Sequence, residues 1–283
     1  MTRSISTGLQ SKSAAFFLAW LAILAGPAAA QPSPAAIAGF NSYIARIESR
    51  LARQHQSPSS FLVSVDFARL RRGNLVIEQI AVPAGIPVPG AMLSHWRGTA
   101  FIPGATAAGF DRLLRDFPAY PAHFAPQILN VDVLAQRSDH FLIKLRVRQQ
   151  HVLTVVLNTT YDVTFGSLDT RHRFSTSHST RIAEIDAPGT PRERELAPHE
   201  QHGFLWRLNS YWSYAERDGG LVIQIESVSL TRSIPAGLGW AVRPFVESVP
   251  RDSLEFTLRS ASSALRKKQT EQQPEPGEDP HAR

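Results

Sequence analysis

From Gln127 to Ile182 the apolar residues fall at every second position. Leu129, Val131 and Val133 share one strand face, and Phe141, Ile143, Leu145 and Val147 share another, opposed by Lys144, Arg146 and Arg148. Leu153, Val155, Leu157, Tyr161, Val163 and Phe165 continue the pattern before Gly166-Ser167 turns the chain. A period of two sends successive side chains to opposite faces of a strand. Sustained over this span, it commits the chain to an antiparallel meander with one buried face.

Two more alternating stretches, FLWRLNSYWSYAE and GGLVIQIESVSLTR, follow a Pro-rich, mixed-charge segment from Asp186 to Gln201, which reads as a mobile loop. They lead into an amphipathic tail in which Val242, Phe245, Val246 and Val249, then Leu254, Leu258, Ala261 and Leu265, keep helical spacing. Pro244 and Pro250 predict a kink or two helical segments, because an interior proline removes a hydrogen bond and costs about 3 kcal/mol.

Upstream, Ile37, Phe40, Ile44, Ile47 and Leu51 recur at helical spacing with Arg46, Arg50 and Arg53 on the polar side. This predicts a helix packed on the domain surface rather than one lying on a membrane. FLVSVDF and NLVIEQIAV, separated by Arg71-Arg72-Gly73-Asn74, read as a hairpin. A strand over MLSHWRGTAFI and a helix capped by Thr106, with Phe110, Leu113, Leu114 and Phe117 on one face, precede the meander.

The first thirty residues have another purpose. Arg3 and Lys12, the apolar run Ala14 to Leu24 and the small residues Ala28 to Ala30 form the three parts of a secretory signal, predicting cleavage before Gln31 and a secreted or periplasmic protein. The run is too short to span a bilayer, which takes about 20 residues, and no later segment approaches that length. The expected parts are therefore a signal at 1–30, a helix and hairpin at 31–90, a main domain at 91–267 and a disordered tail at 268–283. No cysteine is present, so the core alone must hold the fold. Net charge is +6, and removing Arg3 and Lys12 with the signal leaves +4, too little for a nucleic-acid partner.

The order of elements, strand, helix, a meander of about six strands and a C-terminal helix, is that of an α+β helix-grip fold: a curved antiparallel sheet around a long C-terminal helix. The strings RDFPAYPAHFAP, LDTRHRFSTSHSTRI and SYWSYAERDGGLVIQIESVSLTRSIPAGLGW sit at matching places. Over Leu93 to Leu265 the chain resembles the START-like superfamily (SRPBCC), which includes lipid-transfer START domains, the birch-pollen allergen type and polyketide cyclases. The helix from Ala35, the hairpin from Phe61 and the loop at Asp186 lie outside that pattern. The resemblance implies a cavity between sheet and tail helix and a hydrophobic or lipid-like small molecule as partner.

Candidate chemistry is sparse. Ten histidines show no metal-site spacing, and with no Cys and no G-x-S-x-G elbow there is no nucleophile motif, so neither metal nor cofactor is expected. His172 and His178 share a strand face and either line the cavity or face water. In the last strand Leu221, Ile223 and Ile225 take one parity and Val228 and Leu230 the other, which suggests a bulge that turns Glu226 inward toward Arg181 or Arg232. Trp206, Trp212 and Tyr214 share a face, and Trp240 and Phe245 open the tail; with Glu226, Arg181 and Arg232 they are the expected ligand contacts. Three functions fit: a carrier of an apolar or amphipathic molecule, a cyclase or dehydratase using Glu226, His172 or His178 as acid and base, or a structural module whose cavity is filled by its own side chains.

Overall fold

Alternation becomes pairing in the order the chain supplies it. A computed structural model describes residues 31–150, 154–233 and 239–272, the last with side chains from 248 to 271. Strands β3 (Ile128–Arg137), β4 (His140–Gln150), β5 (Thr154–Ser167) and β6 (His172–Asp186) form the expected meander. Two-residue β7 (Arg194–Glu195) pairs with β6, and β8 (Arg207–Arg217) with β9 (Gly220–Arg232) is the second hairpin. β9 then pairs along its length with β2 (Ala91–Pro103), giving the order β1-β2-β9-β8-β6-β5-β4-β3, where β1 is Val76–Gln79.

The register decides which residues share a face. Gly98, Ile225, Trp212 and Ser175 lie side by side across four strands, and so, on the opposite face, do Arg97, Glu226, Tyr211 and Thr176. The first set faces the C-terminal helix α5 (Gly239–Gln272) and the second faces the N-terminal helix α1 (Pro34–Gln54). We call these faces inner and outer. On the inner face Gly98 is required by the tail: a Cβ there would lie 2.6 Å from Leu258 Cδ1 and 3.1 Å from Leu254.

Helix α1 starts where Ser33 accepts from the Ala36 N–H and Pro34 occupies the first turn. Its apolar stripe, Phe40, Tyr43, Ile44, Ile47 and Leu51, packs on Trp206, Tyr211, Val228 and Leu230 of the outer face. Helix α3 (Ala107–Arg115) is capped by Thr106 and buries Phe110, Leu113 and Leu114 against Trp212, Tyr214 and Ile223, where Leu258 and Leu265 of α5 also arrive. Between them, α2 (Phe67–Arg71) covers the outer face and α4 (Tyr120–His123) meets α5. The result is the expected α+β helix-grip fold, a curved sheet gripping the tail helix, with its outer face covered as well.

Four expectations are corrected. There is no hairpin at 61–82: Leu62, Val65 and Phe67 pack on Phe101 and Val222, and Gln224 of β9 takes the part of a neighbouring strand, accepting from Val63 N–H at 2.9 Å and donating to its carbonyl at 3.2 Å. Asp66 caps α2 through the Arg69 N–H, so the second half of the would-be strand coils. The tail is one continuous helix across Pro244 and Pro250 rather than two segments. Proline's fixed φ suits a helix, so the cost is limited to a lost hydrogen bond and local crowding, and it is opposed by the packing of Leu254, Leu258, Ala261 and Leu265.

The same helix continues to Gln272, so residues 268–272 are helical rather than disordered. The loop after Asp186 is tied down rather than loose. Glu184, buried, accepts from the backbone N–H groups of His202, Gly203 and Phe204, and Arg146 makes a two-pronged pair with Glu193. Residues 1–30 and 273–283 lie outside the described residues.

Candidate functional site

The inner face divides into two halves. In the half under α3 the wall is solid: Ile225, Trp212, Ile223 and Tyr214 are buried against Phe110, Leu254 and Leu258. Toward the Ala91 and Arg232 ends the rows change character. One row reads Trp96, Ser227, Ser210, Ser177, and the next reads Ser94, Ser229, Leu208, with Ser179 accepting from the Leu208 N–H. Half-buried Trp96, Leu208, Leu145 and Val131 border this belt of small hydroxyl residues.

Since Leu254 and Leu258 sit over Gly98, the belt lies toward the part of α5 that precedes Leu254, of which residues 239–247 have side chains outside the described residues. Among the described residues, the hydroxyls of Ser94, Ser177, Ser210, Ser227 and Ser229 have no hydrogen-bond partner, although Ser94 and Ser229 are each only 8% exposed. The serines were legible as the alternation S-T-S-H-S at 175–179 and S-V-S at 227–229, but alternation alone does not say which face they take.

Glu226 lies elsewhere. The register of β9 is regular against both neighbours, so no bulge turns it inward. It is 3% exposed on the outer face beneath α1, where Arg50 Nη2 donates at 2.5 Å, His95 Nε2 lies at 2.9 Å and Arg97 Nη1 at 3.6 Å. Tyr43 extends the chain through its hydroxyl, 2.8 Å from His95 Nδ1. Burial pushes the Glu226 carboxyl up, but the hydrogen bond from His95 and the charges of Arg50, His95 and Arg97 outweigh it and hold it below 4.5. Its neutralising partners are therefore Arg50, His95 and Arg97. None was expected, because they come from two distant segments.

The sign of the pH dependence follows. A carboxyl whose folded pKa is depressed contributes stability above its unfolded value, and that contribution disappears as pH falls through the folded value. Thermal melts of the wild type should therefore fall off below about pH 4.5, and Glu226→Gln should flatten that acid limb while lowering the plateau near pH 7. An acid limb identical in both proteins would show that Glu226 is not its source.

The other candidates scatter. His172 pairs with Asp169 and meets the ring of Phe61 edge-on, and His178 Nε2 is 2.8 Å from Glu48 of α1 in a geometry poor for a hydrogen bond. Their strand face is thus the outer one, turned to α1 and the segment after it and away from the tail helix. Beside them His55 stacks on Phe174 with centroids 4.4 Å apart and contacts Ser213 at 2.8 Å; burial and the Arg50 charge lower its pKa to about 4.

Trp206 packs on the outer face among Tyr211, Val228 and Leu230, because it precedes the first paired residue of β8 and does not keep that strand's parity. Trp212 and Tyr214 are on the inner face, in its solid half, where the Tyr214 hydroxyl donates to Asp111 at 2.5 Å. Arg181 pairs with Glu195 of β7, and Arg232 closes β9 with its N–H on Gly203 O. Trp240 and Phe245 have side chains outside the described residues. A separate cleft of about 530 Å³ opens between α3 and the end of α5, lined by Gly104, Gly109, Arg112, Asp116, Leu265 and Lys268. The Asp116–Lys268 pair crosses it at 2.8 Å.

The layout is that of a helix-grip fold. No protein-family model matches the chain, and no curated protein does. Solved structures similar to it include TTHA0849 from Thermus thermophilus, at 13% identity over 61% of this chain and 97% of that one, with a TM-score of 0.44. A STAR-related lipid transfer protein fragment from Xanthomonas axonopodis shows 16% identity, coverage of 67% and 98% and a TM-score of 0.41. The Zhui aromatase/cyclase from a Streptomyces species shows 14%, 62% and 96%, and 0.41. Likenesses this distant carry no argument about this chain, and the helix-grip assignment rests on its own strand order, register and tail helix.

Proposed function

We propose that the protein is an exported carrier that holds a hydrophobic or amphipathic small molecule, lipid-like in character, between the sheet and the first part of the tail helix. The observation that supports this is the contrast within one wall. The half under α3 is filled by large side chains, whereas the half toward the part of α5 before Leu254 is lined by small hydroxyl residues bordered by half-buried Trp96, Leu208 and Leu145. Small side chains opposite a helix leave volume, and an apolar border with a few polar groups is the make-up of a small-molecule site. Apolar surface buried on binding would supply about 25 cal/mol per Å² before entropic costs.

Native mass spectrometry of protein purified from its own compartment, followed by solvent extraction, tests the reading. A bound molecule at one per chain is the expected result. Repeated recovery of empty protein, with Ser210→Phe and Ser227→Leu stabilising the fold by filling the space, would count decisively against it. Export is tested separately: N-terminal sequencing of that protein should begin at Gln31, and an intact Met1 would overturn it.

The residues named for the acid–base reading do not line this space. Glu226, His172 and His178 all face α1 or the segment after it.

A further inference from the structure

The guanidinium groups of the N-terminal segment are unevenly used. Arg50 turns inward to Glu226, but Arg46 and Arg53 of α1 and Arg69, Arg71 and Arg72 at α2 are all exposed. Among the described residues none of these five pairs with a carboxylate, while the same stretch holds few acids: Glu48 lies against His178, Asp66 caps α2, and Glu78 binds Arg97. Both helices lie on the outer face of the sheet, α1 over Val228 and Leu230 and α2 over Phe101 and Val222, so their exposed arginines belong to the same side of the sheet. Between Arg46 and Arg53 the surface of α1 is a shallow groove walled by Ser42, Ala45 and Ser49.

We propose that this surface docks the protein electrostatically on an anionic lipid bilayer. The kind of partner follows from what the surface lacks. A protein interface depends on buried aromatic or large aliphatic anchors at its centre, and here the apolar residues of both helices are already spent on the sheet. The outer side of α1 offers Pro34, Asn41 and otherwise only Ala, Ser and Arg, with no large apolar side chain to insert. Attraction to a plane of lipid phosphates needs no anchor: each Arg close to an anionic surface raises the partition constant by about fivefold, and the effect fades with salt. The inference is independent of what the inner face binds.

The test is co-sedimentation of the chain from Gln31 onward with sucrose-loaded vesicles, since Ala14 to Leu24 would itself seek lipid. Vesicles of phosphatidylcholine with 30% phosphatidylglycerol should retain the protein at low salt and release it by about 300 mM, while pure phosphatidylcholine should not retain it. Arg46→Gln with Arg53→Gln should weaken binding by about tenfold or more, and adding Arg69→Gln, Arg71→Gln and Arg72→Gln should abolish it, with unchanged melting temperatures. Arg137→Gln, at an exposed arginine on β3, should leave it intact. Three results would overturn the proposal: no dependence on phosphatidylglycerol, an Arg137→Gln loss equal to that of the α1 pair, or binding to a DNA duplex as tight as to the anionic vesicles.

Discussion

A chain that begins at residue 56 will not fold cooperatively. Helix α1 supplies Phe40, Tyr43, Ile44, Ile47 and Leu51 to the outer face, and all five are buried. Each contributes about 1.5–3 kcal/mol of burial, against a whole-domain stability of about 5–15 kcal/mol. Removing the helix would also bare Trp206, Tyr211, Val228 and Leu230 and take Arg50 from Glu226, Tyr43 from His95 and Glu48 from Tyr211. Glu226 would keep Arg97 and His95 but lose its closest cation, a further cost below the roughly 3–5 kcal/mol of a fully unpaired buried charge. The expected outcome is insoluble protein or a broad, non-cooperative melt by circular dichroism. A soluble truncated chain melting within about 5 °C of the full one, a shift worth only one to three kcal/mol at this size, would demote α1 to an accessory.

The second large effect is local. Phe110→Ala should cost about 3–5 kcal/mol, lowering the melting temperature by about 6–20 °C. Phe110 is fully buried, and its ring meets Trp212 and Tyr214 edge-on with centroids 5.3 and 5.0 Å apart. It fills the point where α3, the sheet and α5 converge, so neighbours cannot close the gap without moving the tail helix. Leu134→Ala, at a position 52% exposed, should change stability by less than about 0.5 kcal/mol. A loss at Phe110 as small as that would mean that this corner of the core collapses freely.

The two predictions mark what could and could not be read in advance. Phe110 was legible, because Thr106 caps a helix whose apolar spacing is local and whose partner is whatever sheet follows. The dependence on α1 was half legible. Its stripe predicted packing on the domain, but the surface it packs on is assembled from β2, β8 and β9, which lie far along the chain.

Glu226 shows the limit most clearly. Apolar residues on both parities of β9 read as a bulge if one face of a sheet is wet. In the structure Leu221, Ile223 and Ile225 meet the tail side while Val228 and Leu230 meet α1, and the strand is regular throughout. The covered outer face also explains why His172 and His178, read as lining the cavity or facing water, instead meet Phe61 and Glu48.

What the chain determined by itself was its strands, its helices and the helix-grip order in which they close. Those follow from periodicity and caps, which act over a few residues. Only the tertiary structure decided which face of each strand was inner and which outer, and that a second helix covers the outer one. Side-chain parity is a local property, but burial belongs to whatever the rest of the chain brings to that face. Arg50, His95 and Arg97 could be found around Glu226 only once α1, β2 and β9 were stacked.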